Sequence, residues 1–398
     1  MPPKTPARPE KLNKVALIIT LGALSAFAPF AIDMYLASFP SIAESLDASM
    51  ADVQYSVSVF FIGLAVGQLL YAPLIDRFGR RLPLLLGVIL FSASAFAAVF
   101  SPNIDVFVGL RLLQAVGGCA GMIISRAIIQ DLFNANESAR VLSLMMVIQG
   151  IGPIAAPILG AYLYTFFGWR SVFLFLTVFG ICCLLAAMKN IPETLDTPRS
   201  IRPASIIANF NLLLTDRNFM VPLLAGSLSL STMFVFISAS PFVFMTLYGI
   251  SEEHYSWLFG FYAFGMLISA QLNTILLKRF SPATIFQWTV TFLLVMAGLL
   301  VSLSTTDNLI LFSLPLFFCV ATVPVTAANS TAMAMAASGK NAGTASSLVG
   351  VTQFLVAGLI SALVGLLHNQ TAYPMTIVIC AVAVLALLVF QFRKKHQT

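Results

Sequence analysis

Charge is the first thing this chain lacks. Only 9% of its 398 residues are Asp, Glu, Lys or Arg, against about 25% in an average soluble chain. A water-soluble globule of this size could not cover its surface with so few ionisable groups. Disordered chains and coiled coils, both rich in charge, are excluded with it. Cysteine and histidine are sparse too, at five and three. Cys119, Cys182, Cys183, Cys319 and Cys380 all fall in apolar stretches, without metal-ligand spacing or a loop partner. They read as small packing residues, and no metal site is expected. His254, His368 and His396 lie near loops or in the tail and read as incidental. There is no H-E-x-x-H, no embedded Asp pair and no Ser–His or Ser–Lys arrangement, which argues against an enzyme and leaves no catalytic residue to name. A P-loop is also missing, so a nucleotide-driven pump is excluded. One embedded acid and one embedded arginine fall short of the charged rings of a channel.

What is there is apolar. Hydrophobic residues make up 59% of the chain and mean hydropathy is +0.95. A spanning helix needs about 20 mostly apolar residues, and the chain offers twelve such runs, at 15–39, 51–74, 82–101, 104–127, 138–165, 170–189, 219–247, 255–277, 282–304, 308–336, 343–367 and 372–392. Long continuous runs of this kind argue against a β-barrel. The first follows a charged tail and has no small-residue cleavage site, so it reads as a retained span and not a signal peptide. Of the 21 Lys and Arg, all but Arg111 and Arg170 fall in the two tails or in or beside the even-numbered loops, whereas the odd-numbered loops carry acids such as Glu44, Asp47, Glu252, Glu253 and Asp307. The positive-inside rule therefore predicts both termini in the cytoplasm. The net charge of +6 reflects this sorting and gives no reason to expect a nucleic-acid partner.

Residues 190–218 form the one long polar interruption, with Pro192, Pro198 and Pro203. They predict a cytoplasmic linker between an N-terminal six-helix bundle (1–189) and a C-terminal one (219–398). LIDRFGRR (74–81) and LLKRFSPA (276–283) follow spans 2 and 8 as a faint internal echo. Paired halves with a site between them near mid-membrane are how many secondary transporters are built.

Span 1 contains one embedded charge, Asp33, and span 4 contains Arg111. Intramembrane ionisable residues are costly and are functional candidates by default. Counted at 1.5 Å per residue, both lie roughly 10 Å below the outer surface. They are therefore expected to share one layer of a central cavity as a titrating pair. Desolvation favours a neutral carboxyl and a neighbouring guanidinium favours the carboxylate. Arginine keeps its proton, so Asp33 is the expected carrier and Arg111 its tuner.

After span 2, YAPLIDRFGRRLPLLLG sets Asp76, Arg77, Gly79, Arg80 and Arg81 in a tight turn, where glycine permits a sharp reversal. Cytoplasmic placement accounts for the arginines but not for the Asp or the Gly. A gating latch is the reading that accounts for all of them, with Asp131 at the end of span 4 as partner for Arg80 or Arg77. In span 5, Pro153 and Pro157 stand among Gly150, Gly152 and Gly160, predicting a kinked helix with close neighbours. Gly63 and Gly67 read as a small-residue helix contact.

Taken together these motifs resemble the major facilitator superfamily. Its signature between spans 2 and 3 is G-x-L-a-D-R-x-G-R followed by Arg or Lys, here with Ala72 at the first position. RLLQAVGG (111–118) looks like the span-4 signature R-x-x-Q-G-x-G, with Ala115 for one glycine. IDMYLASFP (32–40) is close to the D-M-Y-L-P-x-x-P of bicyclomycin-resistance (Bcr/CflA) drug:proton antiporters, with Ala37 for the first proline. GWRSVF (168–173) and PETL (192–195) match family positions around span 6, and APILGA (156–161) is similar to part of the antiporter signature in span 5. The likeness covers the first half by motif and the second by topology. It implies proton-coupling roles for the matching Asp33 and Arg111.

Substrate-binding candidates are the embedded aromatics and amides: Tyr35, Gln54, Tyr55, Phe60, Phe234, Phe236, Phe261, Tyr262, Gln271, Asn329, Gln353 and Phe354. The amides rank first, because a buried amide must find partners. The fold expected is all-α, twelve transmembrane helices in two bundles around a cavity that opens alternately to either side. The function expected is export of small amphipathic toxic compounds, antibiotics such as bicyclomycin or chloramphenicol-like drugs, in exchange for protons. The alternative is a proton-coupled exporter of a metabolite such as a sugar, amino acid or siderophore. No cofactor beyond the proton gradient is expected. The location expected is a bacterial inner membrane, with the lipid bilayer around a monomer.

Overall fold

The computed structural model of the chain describes residues 13–195, 210–339 and 342–393. Those residues form helices, with no strand among them. Span 1 runs over Lys14–Ser45, span 2 over Met50–Phe78, span 3 over Arg81–Val99, span 4 over Ile104–Leu132 and span 6 over Arg170–Asn190. Span 5 is the helix Ala135–Phe167. Spans 7 to 12 are Arg217–Leu247, Glu252–Leu276, Pro282–Ser302, Leu309–Ala337, Gly343–Leu366 and Tyr373–Gln391. The protein is a multi-pass, all-α membrane protein. Of the expected linker, residues 196–209, with Pro198 and Pro203, lie outside the described residues.

Several helices run past the apolar stretch that announces them. Spans 2 and 4 continue to Phe78 and Leu132, so Asp76, Arg77 and Asp131 ride on helix ends. A helix leaves four backbone N–H groups unpaired at its start, and the loops supply oxygen atoms for them. Ser49 and Asp52 form a capping box at span 2, as Asn134 and Glu137 do at span 5. Asn103, Asp216, Ser251, Ser281 and Asn308 cap spans 4, 7, 8, 9 and 10. Span 3 has no side-chain cap of its own at Arg80.

Span 1 is broken. Helices Lys14–Ser25 and Phe27–Asp33 meet at Ala26; after Asp33 the chain turns through Met34 and Tyr35 into a short 3₁₀ segment, Leu36–Ser38, and then helix Phe39–Ser45. Pro29 and Pro40 sit just inside the second and last helices, where a missing N–H is tolerated but the preceding helix cannot run through.

Spans 2, 3, 4 and 6 pack on one another, as do spans 7, 9, 10, 11 and 12. Spans 5 and 8 complete the two sets, which meet where span 2 packs along span 11 and span 5 along span 8. The span 2–span 11 seam is close: Ser58 donates to Ser361 at 2.9 Å, and a Cβ on Gly358 would press on Ile62 at 2.8 Å. Span 1 reaches across through its 3₁₀ segment to spans 7 and 8. Large exposed side chains such as Phe96, Phe166, Leu185, Phe264, Ile275 and Leu388 cover the outside, an apolar belt suited to lipid.

Candidate functional site

Between the two sets of helices lies a cavity of about 300 Å³, at the lower end of the range for small-molecule sites. Span 1 contributes Ser25, Ala28, Pro29, Ile32 and Asp33, which recur every three or four residues and so share one helix face. Met122 and Pro153 complete the first half's wall. The second half supplies Met233, Phe234, Phe236, Phe259, Tyr262, Met266, Gln353 and Phe354, among others. Aromatic rings interlock there: Phe234 lies edge-on to Phe61 at 4.3 Å, and Phe236 stacks on Tyr262 at 4.7 Å. Methionine and aromatic walls adapt to varied apolar shapes.

Asp33 is 3% exposed, and its Oδ1 has no hydrogen-bond partner. Tyr255 of span 8, hydrogen-bonded to Ser240 at 2.9 Å, lies within electrostatic reach of this carboxyl. The expected pair with Arg111 is not formed among the described residues. Arg111 is fully buried, donates to the Ala31 carbonyl at 2.7 Å and to the Gln114 side-chain oxygen, and is absent from the cavity lining. Its guanidinium lies 4.3 Å from the ring centres of both Tyr35 and Phe60 and 5.7 Å from that of Phe173. The depth estimate gives level but not azimuth. Asp33 belongs to the face carrying residues 25, 29 and 32, while Ala31 lies about 200° around the helix from it. Arg111 therefore satisfies a carbonyl of the last turn before the break, where backbone acceptors lack helical donors.

The substrate candidates divide accordingly. Phe234, Phe236, Tyr262, Gln353 and Phe354 line the cavity. Tyr35 and Phe60 instead enclose Arg111. Gln54 is buried with its oxygen unpartnered, away from the lining. Asn329 is spent inside the second half, donating to Asn273 at 2.7 Å and to the Val325 carbonyl at 2.8 Å. Tyr55, Phe261 and Gln271 are exposed and do not line it. An aromatic on a helix that is apolar all round gives no signal of which way it faces. The methionines that line the cavity, Met122, Met233 and Met266, are missed by a reading centred on rings and amides.

On the face where span 1 starts and span 12 ends, the loop after span 2 forms a network. Arg80 bonds Asp131 at 3.0 Å and Asp76 at 3.2 Å, and donates to the Ile75 carbonyl. Arg77 stacks on Phe78 instead. Gly79 has φ +84° and ends span 2, and a side chain there would collide with Glu193. Glu193 is the residue that sequence reasoning missed, although PETL flags its neighbourhood. Its carboxylate accepts the backbone N–H groups of Arg80 at 2.8 Å and Arg81 at 3.1 Å, which supplies the cap that span 3 lacks. Partial burial pushes this carboxyl up, but the N–H groups of Arg80, Leu195, Arg81 and Thr194 outweigh it and hold it below the usual carboxylate range. Thr194 donates to Asp131 at 2.8 Å and Arg81 to the Met188 carbonyl at 2.7 Å. The network thus ties spans 2, 3, 4 and 6 together, all within the first half.

Span 5 keeps Pro153 and Pro157 inside one helix. Gly152 faces Pro29, and Gly160 abuts the Met34 carbonyl at the break in span 1, leaving no room for a side chain.

A sequence model of the Major Facilitator Superfamily matches residues 21–362. The chain is 33% identical over 391 residues to an uncharacterised MFS-type transporter of Bacillus subtilis, YdgK, covering 96% of each. It is 31% identical over 379 residues to a bicyclomycin resistance protein homolog of Haemophilus influenzae, covering 94% of this chain and 95% of that one. A multidrug resistance protein of Salmonella typhi, MdtL, is 30% identical over 334 residues, 83% of each. Among solved structures, a bacterial homolog of the human lysosomal transporter Spinster, in an inward-facing and occupied conformation, superposes with a TM-score of 0.75. That match covers 96% of this chain and 97% of the other at 15% identity, a likeness of fold.

Proposed function

Because the chain belongs to the major facilitator superfamily, we propose that this transporter exports small amphipathic toxic compounds in exchange for protons, by alternating access of the cavity between its two halves. One observation carries the reading: a single buried carboxyl, Asp33, faces a chamber walled by methionines, aliphatic residues and aromatic rings, with Ser25 and Gln353 as its other polar side chains. Such a wall suits amphipathic antibiotics, bicyclomycin and chloramphenicol-like molecules among them, better than sugars or amino acids, whose many polar groups would stay unpaired against it. Relatives named for bicyclomycin and multidrug resistance support the same class of cargo.

In this scheme substrate enters with Asp33 ionised. The protein turns outward, protonation from outside helps release the cargo, and the protonated form returns. A proton moving down 100 mV supplies about 2.3 kcal/mol, enough for a roughly 50-fold gradient of a neutral substrate. The terminal-face network around Arg80 acts as a latch that holds the first half as one body during this motion. The membrane is the bacterial inner membrane, both termini are cytoplasmic, and a monomer suffices.

The test is a susceptibility panel in a host stripped of its own efflux pumps. Expression should protect against bicyclomycin or chloramphenicol, and Asp33→Asn, present in the membrane at equal amount, should remove that protection. Retained uphill, proton-dependent efflux by the variant would dispose of the coupling role.

A further inference from the structure

The loops after spans 2 and 8 correspond in position but differ in how their cations are used. Arg80 and Arg81 are engaged by Asp76, Asp131 and the Met188 carbonyl. Lys278 and Arg279 are exposed and make no ion pair among the described residues. Their own stretch offers no counterion, since no Asp or Glu occurs between Glu253 and Asp307.

Beside this loop the outer side of the second half carries a groove of about 460 Å³ between spans 8, 9 and 10. Gly265, Ser269, Leu272, Phe292 and Phe317 line it, and Leu276 and Trp288 carry it to the loop. A Cβ on Gly265 would come within 2.5 Å of the Phe317 ring, so glycine lets that ring lie against span 8 as the floor. Trp288 is 53% exposed, and Phe280, next to Arg279, packs edge-on against it at 4.9 Å. Tryptophan prefers the level of lipid headgroups. From bottom to top the feature is therefore a slot for hydrocarbon, an interfacial ring pair and two exposed cations without an ion pair among the described residues.

We infer that this groove binds one anionic phospholipid, with an acyl chain along span 8 and the headgroup phosphate at Lys278 and Arg279. Basic residues at the membrane surface beside a cleft between helices are the chemistry that recognises such headgroups. A zwitterionic lipid can fill the slot but carries its own positive group toward the two cations. The bound chain lies against the back of the helix whose front, through Tyr262 and Met266, lines the central cavity. The Phe317 ring stands 5.9 Å from that of Tyr262.

The experiment is native mass spectrometry of the full-length protein, released from detergent in the presence of equal amounts of phosphatidylglycerol and phosphatidylcholine. The wild type should retain one phosphatidylglycerol with a preference of roughly tenfold. The double variant Lys278→Gln/Arg279→Gln should lose the preference, while Lys278→Arg/Arg279→Lys should keep it. Ser269→Phe, which fills the slot, should lower retention of both lipids. Because the loop variants alter only exposed side chains, they decide the matter even where the groove variant does not fold. Equal retention of the two lipids by the wild type, or an undiminished preference in the glutamine variant, overturns the assignment.

Discussion

The first six spans and the last six differ in chemistry. The first holds the embedded acid, the embedded arginine, the broken helix and the charged network on the terminal face. The second holds most of the aromatic wall, an Asn273–Asn329 amide pair and no buried acid among its described residues. The corresponding loops show how such a difference arises. Span 9 starts with its own cap, Ser281, and Pro282 at its first position, so its loop is self-sufficient. Span 3 borrows its cap from Glu193, more than a hundred residues away, so its loop is tied to span 6.

That contrast can be broken most severely at Asp33. Asp33→Asn should reduce uphill, proton-driven efflux from proteoliposomes to background, roughly a hundredfold or more, whereas Gln353→Ala in the opposite wall should alter affinity and spare coupling. Equal loss of coupling in both would erase the division of labour. Next is Arg111→Ala, which strands the Gln114 oxygen and the Ala31 carbonyl in a buried box. Loss of these two charge-assisted hydrogen bonds should destabilise the protein by about 3 kcal/mol, seen as a lower melting temperature in detergent, with Arg111→Lys losing less.

In the second half, Asn329→Ala leaves the Asn273 oxygen unpaired. A loss of about 1–3 kcal/mol in thermal stability is expected, with the proton dependence of efflux unchanged; a shifted pH profile would show that the second half takes part in coupling. Glu193→Gln should have a smaller effect, about 1 kcal/mol as for other helix caps, read as faster hydrogen exchange at the Arg80 and Arg81 amides. The smallest effect concerns pH. Because the folded protein holds the Glu193 carboxyl below its ordinary range, its contribution is fully present above that range. It is lost as pH falls through the folded value. The protection of the same amides, measured against their intrinsic exchange rate at each pH, should fall on acidification in the wild type and not in Glu193→Gln.

The sequence made the spans plain because twenty apolar residues have few other uses, and it misjudged their ends because capped helices run on into the polar layer, as at Asp131. It marked Asp33 and Arg111 as exceptional by cost alone, and their depth by counting. It could not give their direction, since the apolar pattern of a helix flanked by lipid on one side and protein on the other carries no periodic signal. The same blindness put Tyr55, Phe261 and Gln271 among the binding candidates and passed over Met122 and Met266. The role of Glu193 was out of reach because it acts through backbone amides a hundred residues distant, which no local pattern encodes.

The caged Arg111 sets an electrical background for whatever passes through. Its guanidinium never gives up its proton, so one layer behind the wall the chamber carries a permanent positive charge. With the carboxyl ionised the surroundings are balanced and indifferent to sign; once that carboxyl is neutralised they turn net positive. In the proposed cycle a passenger bearing positive charge would thus meet no opposing field while the carboxyl is ionised and be repelled once it is protonated, without any change in the shape of the walls.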